Sequence, residues 1–129
     1  MIVSGARDAF ARLPGRESAD PFAASPADGL SMRIVRVRGN DSRTPHRHPH
    51  SQEAIYVISG RGALWEDGDL RPFEAGDCAL IEAGVPHATI PDRGTWMELV
   101  CFFPHPDLND NLEEIEDTVI EPEDGGNGS

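Results

Sequence analysis

Five histidines occur in this 129-residue chain, and three of them fall in one short segment, Pro45-His46-Arg47-His48-Pro49-His50. A fourth follows a turn at Gly84-Val85-Pro86-His87. On a β-strand, residues two apart project from the same face, so His46 and His48 converge on one point if the segment is extended. Glu53 lies five residues after His48, an odd offset that would put it on the opposite face of an unbroken strand. Pro49, with Ser51 and Gln52 after it, supplies the break that returns Glu53 to the inner face, because proline cannot donate to the ladder and marks an edge or bulge. His46, His48, Glu53 and His87 are therefore the candidate ligands of one divalent transition metal. Three imidazoles and one carboxylate suit Fe, Mn, Co, Ni, Cu or Zn and leave coordination positions open for water or a substrate. His50 shares the sequence parity of His46 and His48 and is a catalytic candidate as a proton-transfer group or alternative ligand, with a surface turn as the plainer expectation.

Other chemistries find little support. All 11 basic residues are arginine, which excludes a Schiff-base or general-base lysine. No serine sits in a Gly-x-Ser-x-Gly elbow, and no phosphate loop or dinucleotide fingerprint is present. Arg33, Arg36 and Arg38 precede the histidine segment. One of them, with Arg36 as the candidate, could enter the interior and hold a substrate carboxylate in its fork, against the plainer expectation of solvated arginines. Cys78 and Cys101 lie in apolar runs and are expected as reduced structural thiols.

The elements that must position these groups are short strands. From Met32 to Phe103, runs with β-branched and aromatic residues are cut at close intervals by glycine-containing turns, which predicts about eight strands. The clearest pairing joins Ala63–Glu66 to Asp69–Phe73 through Asp67-Gly68, a dipeptide suited to a two-residue hairpin turn. In Ala54–Ser59, Ile55 and Val57 should turn inward behind the carboxylate and Tyr56 outward. With no strong helical run between strands, an antiparallel sandwich or barrel is expected. Trp65, Trp96, Met97, Phe102 and Phe103 are assigned to the core or to a dimer interface.

Residues 1–31 read as an N-terminal arm packed on the barrel, with a short helix near Ala6–Leu13. Residues 32–104 form the barrel and 105–129 an acidic, partly disordered tail. From Asp107 onward there are nine carboxylates and no arginine, ending in the linker-like Gly125-Gly126-Asn127-Gly128-Ser129. Within the tail, Leu112–Ile120 is the segment that could dock. The net charge of −12 argues against nucleic acid as a partner. No run approaches the roughly 18 apolar residues a membrane span needs. The N-terminus carries no secretory pattern, so a cytoplasmic location is expected.

The histidine segment resembles the first motif of the cupin superfamily, G(X)5HXH(X)3-4E(X)6G. His46-Arg47-His48 supplies HXH, four residues separate His48 from Glu53, and six separate Glu53 from Gly60, while Gly39 stands one residue too early. Gly76 through Gly84-Val85-Pro86-His87 is similar to the second motif, G(X)5PXG(X)2H(X)3N, with Glu82 in place of its proline and Pro91 in place of its asparagine. The resemblance covers residues from about 32 to 104 and implies a double-stranded β-helix, a jelly-roll-like barrel, with His87 as fourth ligand. It also implies a small-molecule substrate or ligand and a homodimer, for which an open sheet edge gives a physical reason. The activity it implies is broad. Dioxygenase-type chemistry comes first because the ligand set suits Fe(II). A non-redox lyase, isomerase or cyclase, a non-catalytic small-molecule-binding protein, and an accessory protein acting through its tail stay open.

Overall fold

The computed structural model describes residues 1–40 and 42–122. Asp41 and the linker-like 125–129 lie outside the described residues. Eight strands span the region expected to hold them: β3 (Ser31–Arg38), β4 (His46–Arg47), β5 (Glu53–Ser59), β6 (Arg61–Glu66), β7 (Asp69–Glu74), β8 (Cys78–Ile81), β9 (His87–Pro91) and β10 (Trp96–Phe103). They are preceded by β1 (Ala11–Leu13) and β2 (Arg16–Ala19) and followed by β11 (Glu113–Glu114). All pairings are antiparallel. One sheet runs β1-β2-β3-β10-β5-β8 and the other β11-β4-β9-β6-β7. This is the two-sheet, jelly-roll-like, all-β architecture expected.

Alternation explains the central strands. Along β5, Glu53, Ile55 and Val57 are buried while Ala54, Tyr56 and Ile58 face out. The inner faces of both sheets supply one core, in which Val57 and Met97 are fully shielded, packed with Leu64, Phe73, Ile81 and Leu99. Asp67 and Gly68 both take positive φ, 48° and 98°, the pattern that matches a two-residue turn to the strand twist. Gly60, at φ 89°, closes the β5–β6 corner, where a Cβ would collide with the Trp96 carbonyl. Met97 and Phe103 are core residues and Trp65 is partly buried, whereas Trp96 and Phe102 are exposed.

One region differs from expectation. The helix expected near Ala6–Leu13 is a single 3-10 turn, Ala6–Asp8, followed by β1. Pro14 and Gly15, with φ 74° at Gly15, turn the chain back instead, and β1 pairs with β2, which in turn extends the sheet beside β3. The described part of the acidic segment, 105–122, lies along the second sheet as a strap. β11 pairs with β4, and Ile120 exchanges two 2.8 Å main-chain hydrogen bonds with Arg43. Ile120 packs with Ala88 and Ile90, so apolar residues spaced through the acidic run anchor it.

Candidate metal centre

Short local rules bring the four predicted residues together. His46 lies on β4 directly across from His87 on β9. His48 follows at the end of β4, a turn at Pro49-His50 reverses the chain, and Glu53 opens β5 on the inner face. One ligand-competent atom from each of His46, His48, Glu53 and His87 lies within 4.8 Å of all the others. His48, Glu53 and His87 are buried and His46 is partly so.

The hydrogen bonds fix which nitrogen faces the centre. His48 Nδ1 donates to the Asn111 carbonyl at 2.7 Å, and His87 Nδ1 donates to the Val85 carbonyl at 3.0 Å. Each ring therefore turns Nε2 toward Glu53 Oε1, at 3.1 Å for His48 and 2.7 Å for His87. The His48 contact lacks hydrogen-bond alignment, leaving Nε2 buried with no hydrogen-bond partner. Two neutral imidazoles so held would point lone pairs at a carboxylate, an arrangement that requires a proton or a cation. Burial would raise the Glu53 carboxyl, but the closeness of the His48 and His87 rings, the latter hydrogen-bonded to it, holds it far below the usual carboxylate range. Burial lowers His87, and Glu53 more than offsets this and raises it; His46, buried beside His87, is driven well below its ordinary value. A buried anion, a ring held neutral and an orphaned nitrogen fit a divalent cation, as ligands must be deprotonated to bind one.

The centre opens into a cavity of about 190 Å³ whose walls include Ile55, Leu99, Phe103 and Leu112. His50 does not join it. Its side chain is exposed, with the ring stacked on His105 at 5.7 Å between centroids. Arg36 is turned out of the barrel as well, 3.3 Å from Glu98 and over the Phe10 ring. The pairing of β3 with β10 sets this parity: Arg33, Val35 and Val37 face the cavity, so Arg33 is the arginine of that trio that enters. Sequence reasoning also missed Asn111. This residue is fully buried, and its side chain bonds Ser51 Oγ at 2.8 Å and the His50 amide at 2.7 Å. Its place between Leu108 and Leu112 was the sole clue. Arg16 and Arg43 line the cavity too, and neither carries a motif.

A two-sheet antiparallel barrel with an inward His/Glu cluster suited to a metal ion defines a class of small β-barrel metal-binding proteins. Residues 33–103 match the cupin domain family, and the chain belongs to it. Quercetin 2,3-dioxygenase of Bacillus subtilis (strain 168) is 32% identical over 90 residues, covering 68% of this chain and 26% of that protein. The chain thus spans about a quarter of the length of that curated relative. KdgF from Halomonas sp. is similar in structure with a TM-score of 0.69 at 17% identity, over 84% of this chain and 97% of that one. A mutant salicylate 1,2-dioxygenase from Pseudoaminobacter salicylatoxidans, solved with gentisate, gives 0.67 at 19% identity, over 80% of this chain and 30% of the other. These structural likenesses concern the fold.

Proposed function

We propose that this cupin is a metal-dependent enzyme of dioxygenase type acting on a small organic molecule inside the barrel. The carrying observation is the convergence of four ligand-competent side chains on one cavity. His46, His48, Glu53 and His87 would hold one divalent transition metal, with Fe first and Mn, Zn, Ni or Co behind it. The ion, when bound, supplies Lewis acidity and, if redox-active, a centre for reaction with oxygen. The similarity to quercetin 2,3-dioxygenase supports oxygen chemistry.

The chain's own residues do the rest. The carbonyls of Asn111 and Val85 hold the Nδ1 protons of His48 and His87, keeping both Nε2 atoms directed inward. Glu53 contributes the negative charge, and its burial strengthens that charge's effect. Ile55, Leu99 and Phe103 wall the cavity and limit water around the reactant.

Free cysteines at Cys78 and Cys101 support a reducing, cytoplasmic setting. No helix among the described residues is long and apolar enough to cross a membrane. A homodimer is supported by Tyr56, Ile58, Leu80 and Phe102, all exposed on the outer face of the first sheet towards its β8 edge.

Purification without chelator, metal analysis, and oxygen-uptake measurements on Fe(II)-loaded protein with small hydroxylated aromatic acids and enolisable ketones test this reading. Stoichiometric metal with substrate-dependent oxygen uptake is expected. Turnover without oxygen consumption would transfer the assignment to lyase, isomerase or cyclase chemistry. Ligand binding without turnover under any metal would make the protein a binding module.

A further inference from the structure

The cavity that holds the His/Glu cluster is also lined by three arginines: Arg16 from β2, Arg33 from β3 and Arg43 from the link into β4. In a chain of net charge −12, a buried guanidinium has many carboxylates to choose from, and several arginines meet one. Arg7 and Arg36 meet Glu98, Arg47 meets Glu113, and Arg61 meets Asp92. Arg33 is held by Asp20 at 3.3 Å. Arg16 and Arg43 pair with no carboxylate among the described residues, as do Arg12, Arg38 and Arg71, but those three are exposed and stand outside the cavity.

Arg43 is the more exceptional of the two. Its Nη1 reaches the Gly15 carbonyl only at 3.5 Å, and its Nε is buried with no hydrogen-bond partner. Burial and the charge of Arg16 push its guanidinium down to about 10. Leaving a buried charged donor unpaired is costly, so such an arrangement persists where something else accepts from it. The position of Arg43 is also fixed, because its amide and carbonyl are both bonded to Ile120 of the strap.

We propose that Arg16 and Arg43 form an oxyanion-binding site, and that the reactant is a small organic acid whose carboxylate they hold while the rest of the molecule reaches the His/Glu cluster. This rests on the reading that the reactant sits in the barrel. A guanidinium fork matches a carboxylate geometrically, and two forks hold one more tightly than either alone. The size of the cavity agrees, since about 190 Å³ is below the roughly 300–1,000 Å³ of pockets for drug-sized ligands. A local concentration of positive charge within an otherwise acidic protein would also draw such an anion inward.

The test uses Zn(II)-loaded protein, which separates binding from oxygen chemistry, and titrates succinate and inorganic sulfate calorimetrically into wild type, Arg16→Met, Arg43→Met, Arg43→Lys and Arg36→Met. Wild type should bind at least one of the two anions. Arg16→Met and Arg43→Met should each weaken that binding by at least about tenfold, Arg43→Lys should recover part of it, and Arg36→Met should leave it unchanged. Zinc content should match wild type in every variant, which also reports an intact fold. If Arg43→Met fails to fold, Arg16→Met decides. Absence of binding to wild type, or equal affinity in wild type and Arg16→Met, overturns the proposal. Loss of zinc from wild type itself would instead sink the metal reading, with anion binding still measurable on the metal-free protein.

Discussion

His48 Nδ1 donates a 2.7 Å hydrogen bond to the main-chain carbonyl of Asn111, a residue 63 positions further along the chain. The strap is thereby part of the centre rather than a cover over it. Replacing Asn111 with Ala removes the side-chain bonds to Ser51 and to the His50 amide that hold this carbonyl in place. Metal affinity is expected to fall about 10–100-fold with the far-UV spectrum unchanged. Chelator-competition titration measures it, and unaltered affinity would show that His48 is oriented by its own strand alone.

The pH dependence should differ in sign between the metal-free and metal-loaded proteins. With His87 raised by Glu53, its proton stabilises the metal-free fold below the ordinary histidine value, and that stability is lost as pH climbs through the raised one. Glu53, held far below the usual range, stays ionised throughout. A metal ion competes for the same nitrogen lone pairs, so its stabilisation grows with pH. The difference in melting temperature between the two forms should therefore widen from about pH 6 to about pH 8. Scanning fluorimetry in matched buffers checks this, and a narrowing gap would contradict the geometry.

The two thiols should react very unequally. Cys78 is exposed at the start of β8, while Cys101 is buried in the cavity wall, where burial and then the Glu53 carboxylate push its thiol well above the ordinary value. Since the thiolate is the nucleophile, and Cys78 shares the outer face of β8 with Leu80, iodoacetamide should label Cys78 of a monomeric Leu80→Arg variant quickly under native conditions and both cysteines after denaturation. Intact-mass spectrometry counts the adducts. Two fast labels would mean that the barrel opens readily.

For the homodimer, Leu80→Arg places a charge on the exposed apolar face of β8. Light scattering should show a shift from dimer to monomer, with the melting temperature lowered because subunit association stabilises the folded chain. Wild type that is monomeric at high concentration would remove the proposal.

The parts of the site readable from sequence were those governed by neighbours along the chain. The two-residue period placed His46 with His48, and Pro49 foretold the turn that returns Glu53 to the inner face. Asp67-Gly68 likewise specified its own hairpin. What stayed hidden depends on distant pairing. Whether Arg33 or Arg36 enters the barrel follows from β3 aligning Arg33 with Cys101 and Arg36 with Glu98 on β10, and nothing local encodes that register. The β1–β2 hairpin was missed for a related reason: its strands are three and four residues long, too short to display a period. Asn111 offered little beyond its apolar neighbours, since its contribution to His48 is a main-chain carbonyl that any residue type possesses.

The bond between positions 48 and 111 also sets an order of events during synthesis. A chain leaving the ribosome presents all four candidate ligands once His87 has emerged, but the brace for His48 arrives only after Asn111 follows. If these residues hold a cation as proposed, a chain that has emerged only as far as His87 would hold it more loosely than one in which Asn111 has followed.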